Sequence, residues 1–399
     1  MTLFPSREIL KRRADIGLIV AFFIFLWLPA ADSFLHLDPA ASPKENRMLA
    51  ACPTFDPTLK GTGEFVAGVE TYFNDHFGFR RQLVRWEQCW KWKFFRDAPL
   101  VNVIVGKADW LYYSDGRMVD DFSGARPFSE AELEAWSALL TGRRDWLRQR
   151  GIRYLFVVPP DKQSIYPEHL PNWLISRAQS PRRLDQFVAH MRAHGDVPIL
   201  DLREALLDAK KLGRIYLQTD THWNDAGALA AYRRITNELA SLGVPAAPLD
   251  MAAFHETVAD APGGDLAQMM GQENYLREKG KFLLVPQTSP SPIETRVDLS
   301  LIVKKWIPST EPQVSDNPSA TGKIVMFRDS FATALRKFFA RDYHRVVYVW
   351  QQNWDKGFIE KEKPDIVIDE ILERFLIFRD PVKLMKKDEQ PEAQIFGDR

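Results

Sequence analysis

Short apolar runs and longer amphipathic stretches follow one another along most of this chain. Runs of four to eight apolar residues bounded by turn residues predict buried strands, and apolar residues repeating every three or four positions predict helices. Strands that alternate with helices are typical of a mostly parallel sheet covered by helices on both faces. We therefore predict one α/β domain, with strands over 101–106, 152–158, 197–200, 322–327, 345–350 and 365–368.

Local signals mark where several helices begin and end. Ser129 followed by Glu132 is the pattern of a capping box, and Gly151 ends the helix that the box opens. Between Gly243 and Gly322 the alternation breaks down, and structureless loops of that length are uncommon, so we expect an insertion or lid over about 244–321. Further helices are predicted over 64–95, 181–194 and 224–242.

The N-terminal segment predicts a membrane anchor. Residues 16–31 carry no charge, and four cations precede them (Arg7, Lys11, Arg12 and Arg13). Sixteen helical residues span about 24 Å, slightly less than the hydrocarbon core. The cations keep the N-terminus in the cytoplasm, so the body of the protein is exported. The alternative is a signal peptide cut near Ala30–Ala31, although Leu28 does not suit such a site.

These features divide the chain into four parts. Residues 1–35 form a cytoplasmic stub and transmembrane signal-anchor, and 36–57 form a linker. Residues 58–380 form the α/β domain, and 381–399 form a charged tail that we expect to fray.

Composition excludes several classes of protein. The 53 Lys and Arg residues balance 53 Asp and Glu residues, which argues against nucleic acid as a partner. Two cysteines exclude a disulfide-rich scaffold and a four-cysteine zinc site. Cys52 and Cys89 could pair in an oxidising compartment or remain thiols. No nucleotide-binding loop or H-E-x-x-H motif occurs, so we predict no cofactor.

A candidate nucleophile follows one of the predicted strands. Ser330 lies between the strand 322–327 and a helical stretch, where unpaired backbone N–H groups can stabilise an oxyanion. Reactive groups in open parallel sheets lie at the carboxyl ends of strands. The alternative is an ordinary N-cap serine, which is common at this position. No G-x-S-x-G motif occurs, so a standard α/β-hydrolase is not expected.

A candidate base and its carboxylate precede the helix 224–242. Asp220 and His222 are two residues apart, so in extended chain they share a face. Serine nucleophiles need a base within hydrogen-bond reach and a carboxylate that fixes the imidazole tautomer. The alternatives are a loop Asp and a hydrogen-bonded His before an Asn224 N-cap, or a metal site that adds Asp225.

Several motifs together resemble one family. The chain is similar to the exported, membrane-anchored polysaccharide O-acetyltransferases of the alginate type, whose domain is SGNH-hydrolase-like. The most specific stretches are DTHWN at 220–224 and RDSF at 328–331. The others are ENR at 45–47, FNDHFGFR at 73–80, VGK at 105–107 with WLY at 110–112, VPPDK at 158–162 with YP at 166–167, and Glu370 with Glu373 and Arg374.

This resemblance implies a reaction and a cellular setting. Ser330 would be the nucleophile, His222 the base and Asp220 its orienting carboxylate, with Arg328 a candidate neighbour of the oxyanion. An acetyl group would pass through an acetyl-serine onto hydroxyls of an exported polysaccharide, and a membrane-bound O-acyltransferase would supply it. The protein would be a single-pass inner-membrane protein with a periplasmic catalytic domain. The competing functions are a periplasmic carbohydrate acetylesterase and a non-catalytic polysaccharide-binding scaffold subunit.

Overall fold

The described residues form two compact units. One comprises 1–98 with 268–272, and the other comprises 99–267 with 273–399. The computed structural model describes residues 7–35, 50–54, 59–79, 82–83, 86, 90, 102–115, 117–246, 249–287 and 312–389.

Two helices dominate the N-terminal unit. The first is Arg7–Leu35, which includes the predicted anchor, and the second is Leu59–His76. Among the described residues, no helix has the combination of length and apolar character that a membrane crossing requires. The signal-anchor therefore stays a prediction. Most of the predicted linker, the second half of the predicted helix 64–95 and Cys89 lie largely or wholly outside the described residues.

A six-stranded sheet forms the centre of the second unit. The strands are β3 (Arg153–Val158), β4 (Ile199–Asp201), β7 (Gln313–Asp316), β8 (Lys323–Phe327), β9 (Arg345–Val349) and β10 (Ile366–Glu370). Their order across the sheet is β4-β3-β10-β8-β9-β7, and the first five strands are parallel. The edge strand β7 runs antiparallel to β9, so the sheet is mixed rather than wholly parallel.

Both faces of this sheet are buried, which is why its central strands are largely apolar runs. Successive side chains of a strand point to opposite faces, so each strand contributes to two separate cores. Leu155, Ile324, Met326 and Ile368 belong to one core, whereas Phe156, Val325, Phe327 and Val367 belong to the other.

The helices begin and end near the predicted signals. Ser129 caps its helix, and its N–H donates to the Glu132 carboxylate at 2.8 Å, which confirms the capping box. Gly151 has a φ of +70°, the left-handed conformation that ends many helices. The longer helices of this unit are Glu130–Arg148, Arg183–His194, Arg203–Lys210, Asp225–Ser241, Arg336–Asp342, Lys356–Glu362 and Pro381–Glu389.

Shorter elements complete the unit. β1 (Val103–Val105) pairs with β2 (Leu111–Tyr113) in an antiparallel hairpin. The short helices are Arg117–Phe122, Lys162–Ile165, Asn172–Ile175, Asp265–Met269 and Phe375–Phe378, and short 3₁₀ turns lie between several of them.

The predicted insertion has structure of its own. β5 (Phe254–Ala261) and β6 (Glu278–Pro286) form an antiparallel pair, and the short helix Asp265–Met269 lies between them in sequence. Residues 288–311 lie outside the described residues.

The start of the charged tail differs from the prediction. Residues 381–389 form a helix rather than frayed chain. Its Asp388 accepts a hydrogen bond at 2.8 Å from Arg143, whose side chain is buried, and Leu384 packs into the core. A buried guanidinium requires such a partner, which accounts for the order of this segment.

Candidate active site

The turn that carries Ser330 joins β8 to a helical segment. A 3₁₀ turn over Phe331–Leu335 precedes the helix Arg336–Asp342. Ser330 occupies the N-cap position, but its side chain makes no capping hydrogen bond. Its hydroxyl is instead 2.8 Å from Nε2 of His222. The N-cap alternative therefore does not describe what this hydroxyl contacts.

Buried carboxyl groups hold the turn in place. The Asp329 carboxylate accepts hydrogen bonds from the N–H groups of Phe331 at 2.9 Å and Leu372 at 2.8 Å. The Asp329 N–H in turn donates to Glu370 at 2.8 Å. Glu370 ends β10, the neighbour of β8, so two adjacent strand ends fix the nucleophile position.

Asp220 and His222 lie in the loop before the helix Asp225–Ser241. Nδ1 of His222 is 2.7 Å from Oδ1 of Asp220, and the His222 N–H donates to the same oxygen at 3.0 Å. Asn224 caps the following helix through Ala226 and Gly227, a feature that the sequence offered only as part of the non-catalytic alternative. The three residues predicted from sequence thus form one continuous chain, Asp220–His222–Ser330.

Burial and charge have opposite effects on the pKa values of Asp220 and His222. Burial by itself would raise the pKa of Asp220, but the hydrogen bond from the His222 ring, its charge and two backbone N–H groups hold that pKa well below its usual range. Burial would lower the pKa of His222, but its hydrogen bond with Asp220 and the charges of Asp220 and Asp265 raise it. The carboxylate thereby stabilises the imidazolium that forms when His222 accepts a proton.

A further carboxylate lies beside the pair. Oδ2 of Asp265 is 3.7 Å from Nδ1 of His222, and the Asp265 N–H donates to Asp220 at 3.0 Å. Ligand atoms of Asp220, His222 and Asp265 lie within 4.8 Å of one another, so these residues could hold a cation. Both ring nitrogens of His222 already have partners in the triad, which disfavours that use.

The metal ligand set suggested by the sequence does not assemble around His222. Asp225 instead pairs with Lys337 at 2.5 Å and accepts a hydrogen bond from the Leu284 N–H.

Arg328 contacts the turn that carries Ser330. Its guanidinium donates to the Asp329 carbonyl at 3.0 Å and to the Thr333 hydroxyl at 2.9 Å, and it lies 4.4 Å from the centre of the Trp350 ring. The side chain is buried, and these contacts stabilise the turn that carries Ser330.

A cleft of about 300 Å³ opens next to Ser330. Trp350 follows β9 directly, and its side chain is 39% exposed. The other lining residues are Asp329, Gln351, Gln352, Asn353, Phe375, Arg379, Leu384 and Lys387. This cleft has no signature in the sequence, because its residues come from strand ends and helices far apart in the chain.

The loop of Asp220 and His222 lies within a stretch that matches a known family, and Ser330 lies beyond the end of that stretch. Residues 103–296 match the family model described as "SGNH hydrolase-like domain, acetyltransferase AlgX". A relative from Pseudomonas aeruginosa named "Probable alginate O-acetylase AlgJ" is 31% identical over 192 residues, which is 46% of this chain and 45% of the relative. The predicted resemblance to the alginate-type O-acetyltransferase family is confirmed. This chain matches less than half of that relative's length.

Solved structures agree on the fold. A DHHW family protein from Eubacterium siraeum aligns with a TM-score of 0.51 and 13% identity, covering 72% of this chain and 96% of that one. Bacillus cereus PatB1 aligns with a TM-score of 0.50 and 16% identity, covering 70% of this chain and 100% of that one. At these identities the likeness concerns the fold alone, and with the family model it supports the predicted SGNH-hydrolase-like α/β fold.

Proposed function

We propose that this protein is a polysaccharide O-acetyltransferase that works through an acetyl-serine at Ser330. The observation that carries the proposal is the hydrogen-bonded chain from Asp220 through His222 to Ser330 at the carboxyl ends of the sheet strands. The relatives named alginate O-acetylase support the same class of reaction.

The first half of the proposed reaction acetylates the serine. Nε2 of His222 takes the hydroxyl proton as Oγ of Ser330 attacks the acetyl carbonyl of the donor. The carbonyl carbon then forms an ester bond to Oγ, the bond to the donor's leaving group breaks, and that group takes the proton from His222. Asp220 stabilises the imidazolium between these two transfers.

The second half transfers the acetyl group to a sugar hydroxyl. His222 removes the hydroxyl proton, the sugar oxygen attacks the acetyl-serine carbonyl, and the bond to Oγ breaks as Ser330 recovers a proton. The cleft beside Ser330 is the proposed acceptor site, in which the indole of Trp350 offers a face to a sugar ring. Arg379 and Lys387 favour an acceptor that carries acidic groups.

The proposed setting follows from the N-terminal sequence. Residues 7–35 would anchor the chain in the inner membrane with the α/β unit in the periplasm, where no acetyl-CoA is available. A membrane-bound O-acyltransferase would then supply the acetyl group. Water in place of the sugar would make the same residues an esterase, so exclusion of water from the cleft decides between the two reactions.

A chromogenic acetyl ester tests the proposal. We expect the purified full chain to release the chromophore, to carry one acetyl group on Ser330 by mass spectrometry, and to acetylate an added oligosaccharide. Ser330→Ala should lower the rate by about 10⁴-fold or more. Ser241→Ala, which changes an exposed hydroxyl at a helix end, is the matched control.

Each competing function predicts a different outcome. Ester hydrolysis with no oligosaccharide product would identify an esterase. Full polymer acetylation in cells that carry Ser330→Ala would overturn the catalytic proposal and favour a scaffold.

A further inference from the structure

The loop that presents His222 has little regular structure of its own. Only one isolated bridge, between Tyr216 and Trp223, joins its two ends. Buried backbone groups without partners are costly, so the loop's N–H and C=O groups need partners from elsewhere in the fold. Side chains from two separate parts of the chain supply many of those partners, beside the backbone N–H groups of Leu111 and Ala267, which donate to the carbonyls of Gln218 and Thr219.

Lys162 binds the carbonyl side of this loop. Its Nζ donates to the carbonyl oxygens of Leu217 at 3.0 Å, Gln218 at 3.2 Å and Asp220 at 2.6 Å. An ammonium group has three N–H donors, so the three carbonyls use them all. Lys162 is only 3% exposed. One of the three carbonyls that it binds is that of Asp220, whose side chain orients His222.

Two carboxylates bind the N–H side of the same loop. Glu278 accepts hydrogen bonds from the N–H groups of Gln218 at 3.0 Å and Thr219 at 2.8 Å. Asp265 accepts one from the Thr221 N–H at 2.7 Å. Both carboxylates come from the inserted segment, whereas Lys162 follows β3. The loop is therefore held from both sides by charged groups.

The short helix that carries Lys162 is itself fixed to the end of β10. Glu373 accepts hydrogen bonds from the Asp161 N–H at 2.8 Å and the Ser164 hydroxyl at 2.7 Å. Arg374 donates to the Asp161 carboxylate at 2.8 Å. The segment that follows β10 therefore holds the helix of Lys162, just as the end of β10 itself holds the Ser330 turn.

We propose that Lys162 is a positioning residue for acetyl transfer, which holds Asp220 and His222 in line with Ser330 by binding the carbonyls of their loop. The inference rests on the proposed function at Ser330 and adds a residue that acts through others. Misplacement of a catalytic group by about 1 Å can cost about 10²-fold in rate, which sets the size of effect to expect.

The charge state of Lys162 adds a pH signature. Burial lowers the pKa of Lys162 to about 7, against the opposing charges of Asp220, Asp265 and Glu278, while Arg374 lowers it further. The rings of Trp110 and Tyr112 complete its surroundings at 5.7 and 5.3 Å. As pH rises through this pKa, the amine loses a proton and one of its three donors. The loop then loses a hydrogen bond, so activity should fall on the alkaline side.

Lys162→Met and Lys162→Gln test the proposal in the full-length chain with a chromogenic acetyl ester. We expect Lys162→Met to lower kcat by about 10²-fold with little change in KM, and to abolish the alkaline limb of the pH profile. Lys162→Gln retains an amide donor but no titration, so kcat should fall less while the alkaline limb is again lost. The low-field proton signal of the His222 Nδ1–H should shift in both variants.

The control is Lys337→Met, because Lys337 also binds a backbone carbonyl, that of Leu284 at 3.1 Å, which lies outside both the catalytic loop and the helix that carries Lys162. It should keep both kcat and the alkaline limb. Wild-type kcat, or a retained alkaline limb, in folded Lys162→Met or Lys162→Gln would overturn the proposal. If Ser330→Ala were fully active, the proposed function itself would fail, which is a different result from normal activity in the Lys162 variants alone.

Discussion

The Ser330 turn and the loop of Asp220 and His222 present their side chains to the same point, yet different groups hold them. The turn lies between a strand and a helical segment, and Asp329 and Glu370 from adjacent strand ends fix it. The loop depends on Lys162 and on two carboxylates of the insertion. Both segments therefore use partners distant in sequence. The partners of the turn come from the end of the adjacent strand β10, whereas those of the irregular loop come from two other segments of the fold.

Among changes that test this comparison, Asp220→Asn in the loop should cause the largest loss of activity. An amide in place of the carboxylate favours the wrong imidazole tautomer, so we expect the rate to fall by about 10⁴-fold. The pKa of His222 is raised mainly by Asp220, against burial, and the rate should rise with pH as His222 loses its proton. In the variant that acid limb should move to lower pH. A pH–rate profile of ester cleavage measures both changes.

Asp225→Asn is the matched control, since Asp225 lies near in sequence but pairs with Lys337. It should change neither the rate nor the pH at which the acid limb of the profile falls. Near-normal turnover by Asp220→Asn, together with loss of activity in His222→Ala, would assign the orienting role to another carboxylate, of which Asp265 is the nearest.

Gly264→Ala should cause the second-largest loss of activity. A β-carbon at residue 264 would overlap the Asp220 carboxylate, so the loop would have to move. We expect kcat to fall by about 10²-fold with little change in KM. The control is Gly142→Ala, where a β-carbon meets no other atom within 4 Å. That helix-interior change should stabilise the fold by about 0.5–1 kcal/mol, and equal activity in both variants would contradict the close packing at Asp220.

Glu370→Gln, which alters the support of the Ser330 turn, should cause the smallest loss of activity. Burial and the Asp329 charge raise the pKa of Glu370 well above its usual range, which favours the neutral carboxylic acid, and an amide resembles that form closely. We expect activity close to wild type. Because the folded-state pKa is raised, the stability linked to Glu370 is present at low pH and is lost as pH rises through that pKa.

Glu370→Gln should therefore flatten the decline of unfolding free energy with pH, as measured by urea titration at several pH values. A slope equal to that of the wild type would show that Glu370 is ionised in the folded protein. Asp329→Asn is the contrasting change, because its two oxygens accept backbone N–H groups on either side, and an amide would set a donor against one of them.

Much of the fold could be predicted from local pattern alone. The strands β3, β8 and β9 were predicted to within one residue at each end, because apolar runs buried on both faces contrast sharply with the turns around them. The capping box at Ser129 is likewise a local interaction between residues three apart. The antiparallel direction of β7 was not predicted, since strand direction depends on the path of the connecting chain.

The sequence by itself determined which side chains carry the candidate chemistry, because Asp220 and His222 are close neighbours and Ser330 follows a clear strand. Only the tertiary structure decided that they meet, and which groups hold them. Lys162 lies 58 residues from Asp220, and Glu278 lies 60 residues from Gln218. The reason is physical: a backbone carbonyl or N–H has no residue-specific signature in sequence, so its side-chain partner becomes visible only when the chain has folded.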